Sequence, residues 1–233
     1  MSRRVVRRSC GWLARLAGEA TGVALILVDA TGENSIAVAG GANEALEPAH
    51  VGAAFDRLRP GPGDVVLVGH EIPTATASEA LRLARGAGAT TVFNPAPATG
   101  VTAEMLGLTD IVTPNEGEAA ELLAIEGDTE GMDVDRLARL TVGGHVLVTL
   151  GGRGALLVGQ DGALPIPAPE VAVVDSVGGG DTLNGALAAG LAAGLPVPEA
   201  ARRAVTAASL AVARAGARAG MPTSAELKAA LAR

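Results

Sequence analysis

Short runs of Val, Leu and Ile alternate along most of the chain with longer, Ala-rich segments whose apolar residues recur every three or four positions. Such runs suit strands buried on both faces of a sheet, and such segments suit helices. The predicted elements, in chain order, are a helix at 43–58, a strand at 65–69, a helix at 74–87, strands at 91–94 and 110–113, helices at 116–125 and 134–140, and a strand at 145–150. Strands that alternate with helices form a parallel sheet covered on both faces. We therefore predict an α/β fold with a doubly wound, mostly parallel sheet.

The pattern changes on both sides of this α/β segment. Apolar runs at 24–29 and 35–40 flank a Thr-Gly-Glu-Asn turn, which predicts a β-hairpin. Further runs at 154–159 and 171–175 predict later strands that are partly antiparallel. The chain is predicted to close with helices at 181–193, 199–215 and 225–231.

Composition narrows the class of protein. At roughly 150 residues per domain, the 233 residues allow one large or two small domains, and 48% hydrophobic residues exclude a disordered chain. A net charge of −7 and the lack of Tyr argue against nucleic-acid binding. No apolar run reaches the about 18 residues of a membrane span. The single Cys10 excludes an internal disulfide framework. We expect a soluble, cytoplasmic protein with neither nucleic-acid nor membrane partners.

The first 20 residues differ in charge from the rest of the chain. Five arginines precede the first acid, Glu19. This Arg-rich start suits either a basic amphipathic or targeting segment or a solvated terminus. We interpret residues 1–20 as a leader outside the fold and residues 21–233 as the folded domain.

The strongest chemical signal is the segment from Asp175 to Gly185, in which three glycines precede an acid and an Ala-rich helix. Gly178, Gly179 and Gly180 allow successive backbone N–H groups to converge on an anion at a helix N-terminus. An acid at that place, Asp181, suits a base that takes the proton of a hydroxyl group attacking a phosphoryl group. The alternative is an ordinary glycine turn with Asp181 in the first helical turn, and the motif alone favours neither.

Other polar segments follow predicted strands, at the edge where α/β sheets bind ligands. The segment Thr149–Gly154, with Gly151, Gly152 and Arg153, suits a nucleotide cradle or a simple hairpin turn. Asn115 and Glu118 suit either a capping box or a ligand site. Glu71 either points into the same crevice or is a solvated loop acid.

Together these segments resemble the ribokinase branch of the ribokinase/PfkB family of sugar kinases. The matching segments, in the order of the family, are Thr21-Gly22-Val23-Ala24, Gly41-Ala42-Asn43, Asn94-Pro95-Ala96-Pro97-Ala98, Thr113-Pro114-Asn115-Glu116, Thr149-Leu150-Gly151 with Gly154, and Asp175 through Gly185. They extend over the chain from residue 21 to about 222. The Gly-Gly-Asp-Thr segment marks the superfamily, and the Asn-Pro-Ala-Pro-Ala segment points to ribokinase.

The resemblance implies a role for each of these residues. Asp181 is the expected catalytic base and sugar contact, and Gly178–Gly180 form the expected anion hole. The expected nucleotide contacts are Asn115, Thr149, Gly151, Gly152, Arg153, Gly154, Gly180 and Asp181. Glu71 is the expected sugar contact. Val205 stands where the family often has a His beside the nucleotide.

The resemblance also implies cofactors and an assembly. The expected cofactors are ATP, Mg²⁺ with Glu118 as its linked carboxylate, and K⁺ as an activator. The expected K⁺ ligands, mostly through backbone carbonyls, are Asp175, Val177, Ala211, Arg214, Gly216 and Gly220. In its complete form the family protein is expected to be a homodimer.

The opening strand, the sugar-binding Asn/Asp segment and the Gly-Gly-Lys-Gly-Ala-Asn motif of the family have no counterpart in this sequence. We therefore expect the chain to enter the family fold about a third of the way along, with residues 21–43 as a partial lid hairpin. From this we expect weak ATP binding, poor sugar turnover and self-association through the hairpin.

The reaction implied by the resemblance is the ATP-dependent phosphorylation of D-ribose at O5. Two alternatives stay open. One is a truncated pseudokinase that binds nucleotide without turnover, and the other is a kinase of the same family for another carbohydrate or a nucleoside.

Overall fold

The computed structural model describes residues 15–28, 34–125, 133–142 and 144–232. Residues 1–14 of the predicted leader, with Cys10, and the predicted turn at 31–33 lie outside these ranges. Residues 15–20 form no helix or strand.

The described residues form a central six-stranded sheet. Its strands, in spatial as well as chain order, are β3 (Val65–Gly69), β4 (Thr90–Asn94), β5 (Ile111–Val112), β6 (His145–Thr149), β7 (Ala155–Gly159) and β8 (Gly162–Ile166). The first four run parallel, and β7 and β8 are antiparallel to their neighbours. The predicted mostly parallel sheet is therefore confirmed.

Helices cover both faces of this sheet. They are α1 (Pro48–Leu58), α2 (Thr74–Gly86), α3 (Ala103–Gly107), α4 (Glu116–Ile125), α5 (Val134–Leu137), α6 (Gly179–Ala192), α7 (Val197–Val212) and α8 (Ser224–Leu231). Successive side chains of a strand point to opposite faces. Phe93 of β4 therefore packs in the core formed with Leu81 of α2, whereas Val92 packs in the core formed with Leu187 of α6.

Two of the predicted elements are wrong in detail, and one strand was not predicted. No strand forms at 171–175, because the N–H groups of Val174 and Asp175 donate to the Val212 carbonyl at the end of α7 rather than to a strand. The edge strand β8 was not predicted, because Pro165 interrupts its apolar pattern. The helix expected from residue 43 begins only at Pro48, where Glu47 and His50 form the cap.

A second, two-stranded sheet is confirmed as a hairpin. Strands β1 (Val23–Val28) and β2 (Asn34–Ala39) pair antiparallel and share no strand with the larger sheet. Val23, Leu25 and Val38 expose 54%, 67% and 72% of their surface. Because Val38 pairs with Ala24 and not with Val23, apolar side chains lie exposed on both faces of the hairpin.

The helices of the described ranges give no candidate membrane span, since none combines the necessary length with the necessary apolar character.

Candidate active site

Two cavities open at the carboxyl edge of the large sheet, where the parallel strands β4, β5 and β6 end. The large cavity has a volume of about 730 Å³ and the small cavity about 190 Å³. Thr149 and Gly180 line both of them, so the two cavities meet at these residues. This is the edge at which α/β sheets bind ligands.

Glycine turns form one wall of the large cavity. Gly151, Gly152 and Gly154 line it, after the end of β6. A side chain cannot replace the hydrogen of Gly154, because φ is +98° and a Cβ atom would lie 2.1 Å from the Ile166 carbonyl oxygen. The predicted hairpin turn is confirmed, since β6 and β7 on either side of it pair antiparallel, and the ligand cradle stays a prediction.

Apolar side chains and the start of α6 form the opposite wall of the large cavity. Val171, Val173, Val205 and Val212 line it together with Gly179. Val205, which stands in place of the expected His, therefore offers the cavity an apolar surface. A base can pack against such a wall, and phosphate groups can reach the helix N-terminus.

The three predicted glycines differ in what surrounds them. Gly178 caps α6 with φ +78°, and a Cβ atom there would lie 2.9 Å from the Ala217 Cβ. A Cβ atom at Gly179 would lie 3.0 Å from Val212 Cγ1, whereas none of the described atoms lies within 4 Å of that position at Gly180. The first N–H groups of a helix have no intrahelical acceptor. At α6 the Gly179 N–H donates to the Ser176 carbonyl at 3.2 Å, so of the three predicted anion-hole glycines it is Gly180 that lies where the two cavities meet.

Polar side chains dominate the small cavity. The lining side chains singled out in the sequence are Glu71, Asn115, Glu118 and Asp181. They come from three different segments, and Asp181 lies in the first turn of α6 with its side chain exposed to the cavity. The fold therefore brings the candidate base next to the glycine segment and to two further carboxylates.

Asn115 and Glu118 form the predicted capping box. The Asn115 N–H donates to Glu118 Oε2 at 2.9 Å, and the Glu118 N–H donates to Asn115 Oδ1 at 2.8 Å. Burial raises the pKa of the Glu118 carboxyl above its ordinary value, and the charges of Glu121 and Glu71 add to this rise. The hydrogen bond from the Asn115 N–H lowers the pKa and offsets part of the rise. A bound cation would remove this penalty.

Hydrogen bonds tie the small cavity together through three residues to which the sequence analysis gave no role. The Asn94 amide donates to the Thr113 carbonyl at 2.9 Å. The buried Thr113 hydroxyl donates to Asn184 Oδ1 at 2.6 Å, and the Asn184 amide donates to the Gly180 carbonyl at 3.1 Å. One signal in the sequence could have indicated this network. Asn184 is an amide in an Ala- and Leu-rich helix, and it lies three residues after Asp181 and therefore on the same helix face.

Arg153, a predicted nucleotide contact, lines neither cavity. Its guanidinium group donates to Glu116 Oε1 at 2.6 Å, and its side chain is 68% exposed. This ion pair directs the Arg153 side chain to Glu116, the first residue of α4.

The predicted K⁺ ligands lie together in a separate cluster beside α6. Asp175 accepts hydrogen bonds from the Gly216 and Val177 N–H groups, at 2.8 and 3.0 Å, which hold the pKa of its carboxyl below the ordinary value. The carbonyl oxygens of Ala211, Gly216 and Arg214 lie 2.7, 3.0 and 3.3 Å from the position of a Cβ atom on Gly220. Convergent carbonyl oxygens of this kind suit a monovalent or other hard cation.

Fold and site together define a class: an α/β protein in which a glycine-rich helix start joins a nucleotide-sized cavity to a smaller cavity lined by carboxylates. Within that class the chain belongs to the pfkB family of carbohydrate kinases, whose family model matches residues 10–224.

Several curated relatives are ribokinases. Over 171 residues the chain is 41% identical to the bifunctional ribokinase/ribose-5-phosphate isomerase A of Fructilactobacillus sanfranciscensis, which covers 72% of this chain and 31% of that protein. Over 188 residues it is 35% identical to the ribokinase of Staphylococcus aureus, covering 80% of this chain and 61% of the relative. The chain thus spans about six tenths or less of the length of these relatives.

Solved structures agree with the fold. The ribokinase of Thermotoga maritima superposes with a TM-score of 0.79 at 34% identity, covering 92% of this chain and 71% of that one. The Arabidopsis thaliana ribokinase, complexed with ribose and ATP, superposes with a TM-score of 0.75 at 29% identity, covering 92% and 70%.

Proposed function

We propose that this chain transfers the γ-phosphoryl group of ATP to the O5 hydroxyl of D-ribose. The observation that carries the proposal is the position of Asp181 and the glycine segment at the junction of the two cavities. The ribokinases among the relatives support the choice of sugar, and the Arabidopsis structure shows that a protein of this fold holds ribose and ATP together.

In this proposal ATP occupies the large cavity. The base packs against the valine side chains, and the turn after β6 receives the sugar and the first phosphates. The γ-phosphoryl group reaches the N-terminus of α6, where the N–H group of Gly180 stabilises the charge on its oxygens.

Ribose occupies the small cavity, where carboxylates and amides accept and donate to its hydroxyl groups. The Asp181 carboxylate accepts the proton of the O5 hydroxyl as that oxygen attacks the γ-phosphorus. The bond from O5 to phosphorus forms, and the bond from phosphorus to the bridging oxygen of ADP breaks. The proton then leaves Asp181 for solvent when the products dissociate.

Mg²⁺ fits the small cavity. The described residues hold no group of three or more side chains able to bind a metal by themselves, which agrees with an ion held mainly by phosphate oxygens and water. Glu118 and Asn115 would hold it on the protein side, and burial raises the pKa of the Glu118 carboxyl, a cost that a bound cation would offset. When bound, Mg²⁺ neutralises charge on the transferring phosphate groups.

K⁺ fits the carbonyl cluster around Gly220. The carbonyls of Ala211, Arg214 and Gly216 would hold it, with Asp175 fixing the backbone at Gly216. Because Val174 and Asp175 are tied to the end of α7 just before the glycine segment, a cation there would stiffen the backbone that presents the N–H groups to phosphate.

We further propose a cytoplasmic location and a homodimer for the complete family form. The single cysteine agrees with a reducing compartment. The apolar side chains exposed on both faces of the hairpin support self-association.

The test is ADP formation by the purified chain with Mg²⁺ and K⁺, with D-ribose and with a panel of 2-deoxyribose, fructose, adenosine and inosine. We expect the highest kcat/KM with D-ribose, and a ³¹P–¹³C coupling that places the phosphate on O5. A rate in the ordinary range for kinases, about 1–100 s⁻¹, would exclude the poor turnover expected from the sequence. ADP formation that no acceptor accelerates would identify a pseudokinase, and a preferred nucleoside would identify the other alternative.

A further inference from the structure

His70 lies directly before Glu71, where β3 ends, and is buried with 4% of its surface exposed. Its imidazole ring packs edge-on against the ring of Phe93 in β4, with ring centroids 5.7 Å apart. The proposed reaction does not use it, and it lines neither cavity. A buried imidazole needs a partner at both ring nitrogens, so its partners show what it connects.

The partners of His70 belong to two different loops. Nδ1 lies 2.7 Å from the carbonyl oxygen of Pro97, in the loop after β4. Because a carbonyl oxygen can only accept, Nδ1 carries the hydrogen and donates it. Nε2 lies 3.1 Å from the hydroxyl of Thr74, the first residue of α2, and accepts its hydrogen when the ring is neutral. The ring therefore joins the loop between β3 and α2 to the loop after β4.

Glu71 of the first loop, Ala96 of the second loop and Asn94 at the end of β4 line the small cavity. The strand ladder sets the spacing at the points where the two loops begin, because Gly69 of β3 pairs with Asn94 of β4. The Glu71 carboxylate lies against Gly69, where a Cβ atom would be 2.9 Å from Oε2, and Asn94 donates to the Thr113 carbonyl. Beyond these paired strand ends, the bond from His70 to the Pro97 carbonyl connects the two loops.

We propose that His70 is a positioning residue for the acceptor side of the site. By donating to the Pro97 carbonyl, it holds Glu71 and the segment 94–97 at the separation that the sugar requires, and it does so without contact to the sugar. The identity of the sugar rests on the proposed function, whereas the connection between the loops does not.

Three variants separate the two hydrogen bonds of the ring. His70→Asn places an amide N–H where Nδ1–H donates to Pro97, and His70→Gln extends its amide to the place of Nε2 near Thr74. His70→Leu keeps an apolar side chain of similar size and removes both bonds, which leaves the Pro97 carbonyl without this donor. Thr74→Val is the matched control, since it removes only the bond to Nε2.

The first measurement is the KM for D-ribose and the KM for ATP. We expect His70→Leu and His70→Gln to raise the KM for D-ribose about 10-fold, the effect of losing one buried hydrogen bond, with the KM for ATP nearly unchanged. His70→Asn and Thr74→Val should stay close to the parent chain. An equal rise in both KM values, or a His70→Asn chain as impaired as His70→Leu, would overturn the proposal.

The second measurement is amide hydrogen exchange of residues 95–101 in the free protein, which does not depend on activity. We expect faster exchange in His70→Leu and His70→Gln and parent-like exchange in His70→Asn. Unchanged exchange in His70→Leu would overturn the proposal even if ribose is a substrate. If the parent chain does not phosphorylate ribose, the proposed function fails, and exchange still decides the role of His70. If His70→Leu does not fold, the comparison of His70→Asn with His70→Gln decides it.

Discussion

The two cavities that meet at Gly180 have different sizes and different walls. The large cavity is about four times the volume of the small one, and its walls are glycine turns and valine side chains. The walls of the small cavity are carboxylates and amides from separate segments, linked by the hydrogen bonds of Asn94, Thr113 and Asn184. An apolar, glycine-bounded space suits the shape of a nucleotide, and a polar one suits a molecule made of hydroxyl groups.

Under the proposed function, this difference means that binding of the donor and chemistry on the acceptor depend on separable parts of the chain. Changes confined to the small cavity should alter turnover more than nucleotide affinity. Changes at Gly180, which belongs to both cavities, should alter both. Each prediction below tests this separation, and the largest expected effect comes first.

Asp181→Asn should give the largest effect. The amide keeps the size of the side chain but cannot take the proton of the attacking hydroxyl, so kcat should fall at least about 100-fold. Nucleotide affinity, measured by isothermal titration, should change little. Asp161→Asn, in the turn between β7 and β8 and outside both cavities, is the control. Turnover close to that of the parent chain would remove Asp181 from the catalytic role.

Alanine at Gly180 and at Gly178 should separate function from stability. A Cβ atom at Gly180 meets no described atom, and Ala suits a helix better than Gly, so Gly180→Ala should melt at or above the parent temperature. Its methyl group lies at the cavity junction, and we expect ATP binding and kcat/KM to fall about 10-fold or more, as for the loss of an anion contact.

Gly178→Ala should lose stability as well. Its φ of +78° and the Cβ contact of 2.9 Å with Ala217 predict a cost of about 1–3 kcal/mol in the free energy of unfolding, measured in urea. Equal stability losses in both variants would contradict the difference that the structure shows between the two glycines.

K⁺ should stimulate turnover several-fold relative to a bulky organic cation, and it should raise the melting temperature by mass action. Gly220→Ala places a methyl group among the carbonyl oxygens of Ala211, Gly216 and Arg214 and should abolish both responses. Gly86→Ala, where a Cβ atom meets none of the described atoms, should keep them. Identical titrations of the parent chain in both salts would count against a cation at this cluster.

Glu118→Gln should give the smallest effect, on stability. Because the folded-state pKa of Glu118 is raised, the carboxyl favours folding at low pH and this contribution is lost as the pH rises through that pKa. At pH 7 the neutral amide should therefore raise the melting temperature, by roughly 1–2 °C, with no difference near about pH 4. The same change at the exposed Glu121, Glu121→Gln, should raise the melting temperature less. The Mg²⁺-dependent turnover of Glu118→Gln should fall. A melting temperature below that of the parent chain at pH 7 would contradict the burial effect.

The sequence was informative where local chemistry determines structure. Continuous apolar runs predicted the parallel sheet. Glycine runs next to helix or strand ends predicted the segments at 149–154 and 178–181. It could not reveal contacts between distant segments. The bond between Thr113 and Asn184 joins residues 71 positions apart, and that between His70 and Pro97 joins residues 27 positions apart. The apolar run at 171–175 was misleading, because its N–H groups pair with a helix end that no local pattern predicts.

The most direct test of the junction between donor and acceptor is a crystal structure of the chain with D-ribose, Mg²⁺ and a non-hydrolysable ATP analogue. We predict the γ-phosphate at the start of α6 on the N–H group of Gly180, the base against Val205 and Val212, and ribose in the small cavity. The O5 hydroxyl should lie within about 2.6–3.2 Å of the Asp181 carboxylate, the reach of a general base. Ribose bound away from Asp181, or phosphates bound away from the start of α6, would contradict the proposal that the two cavities hold donor and acceptor.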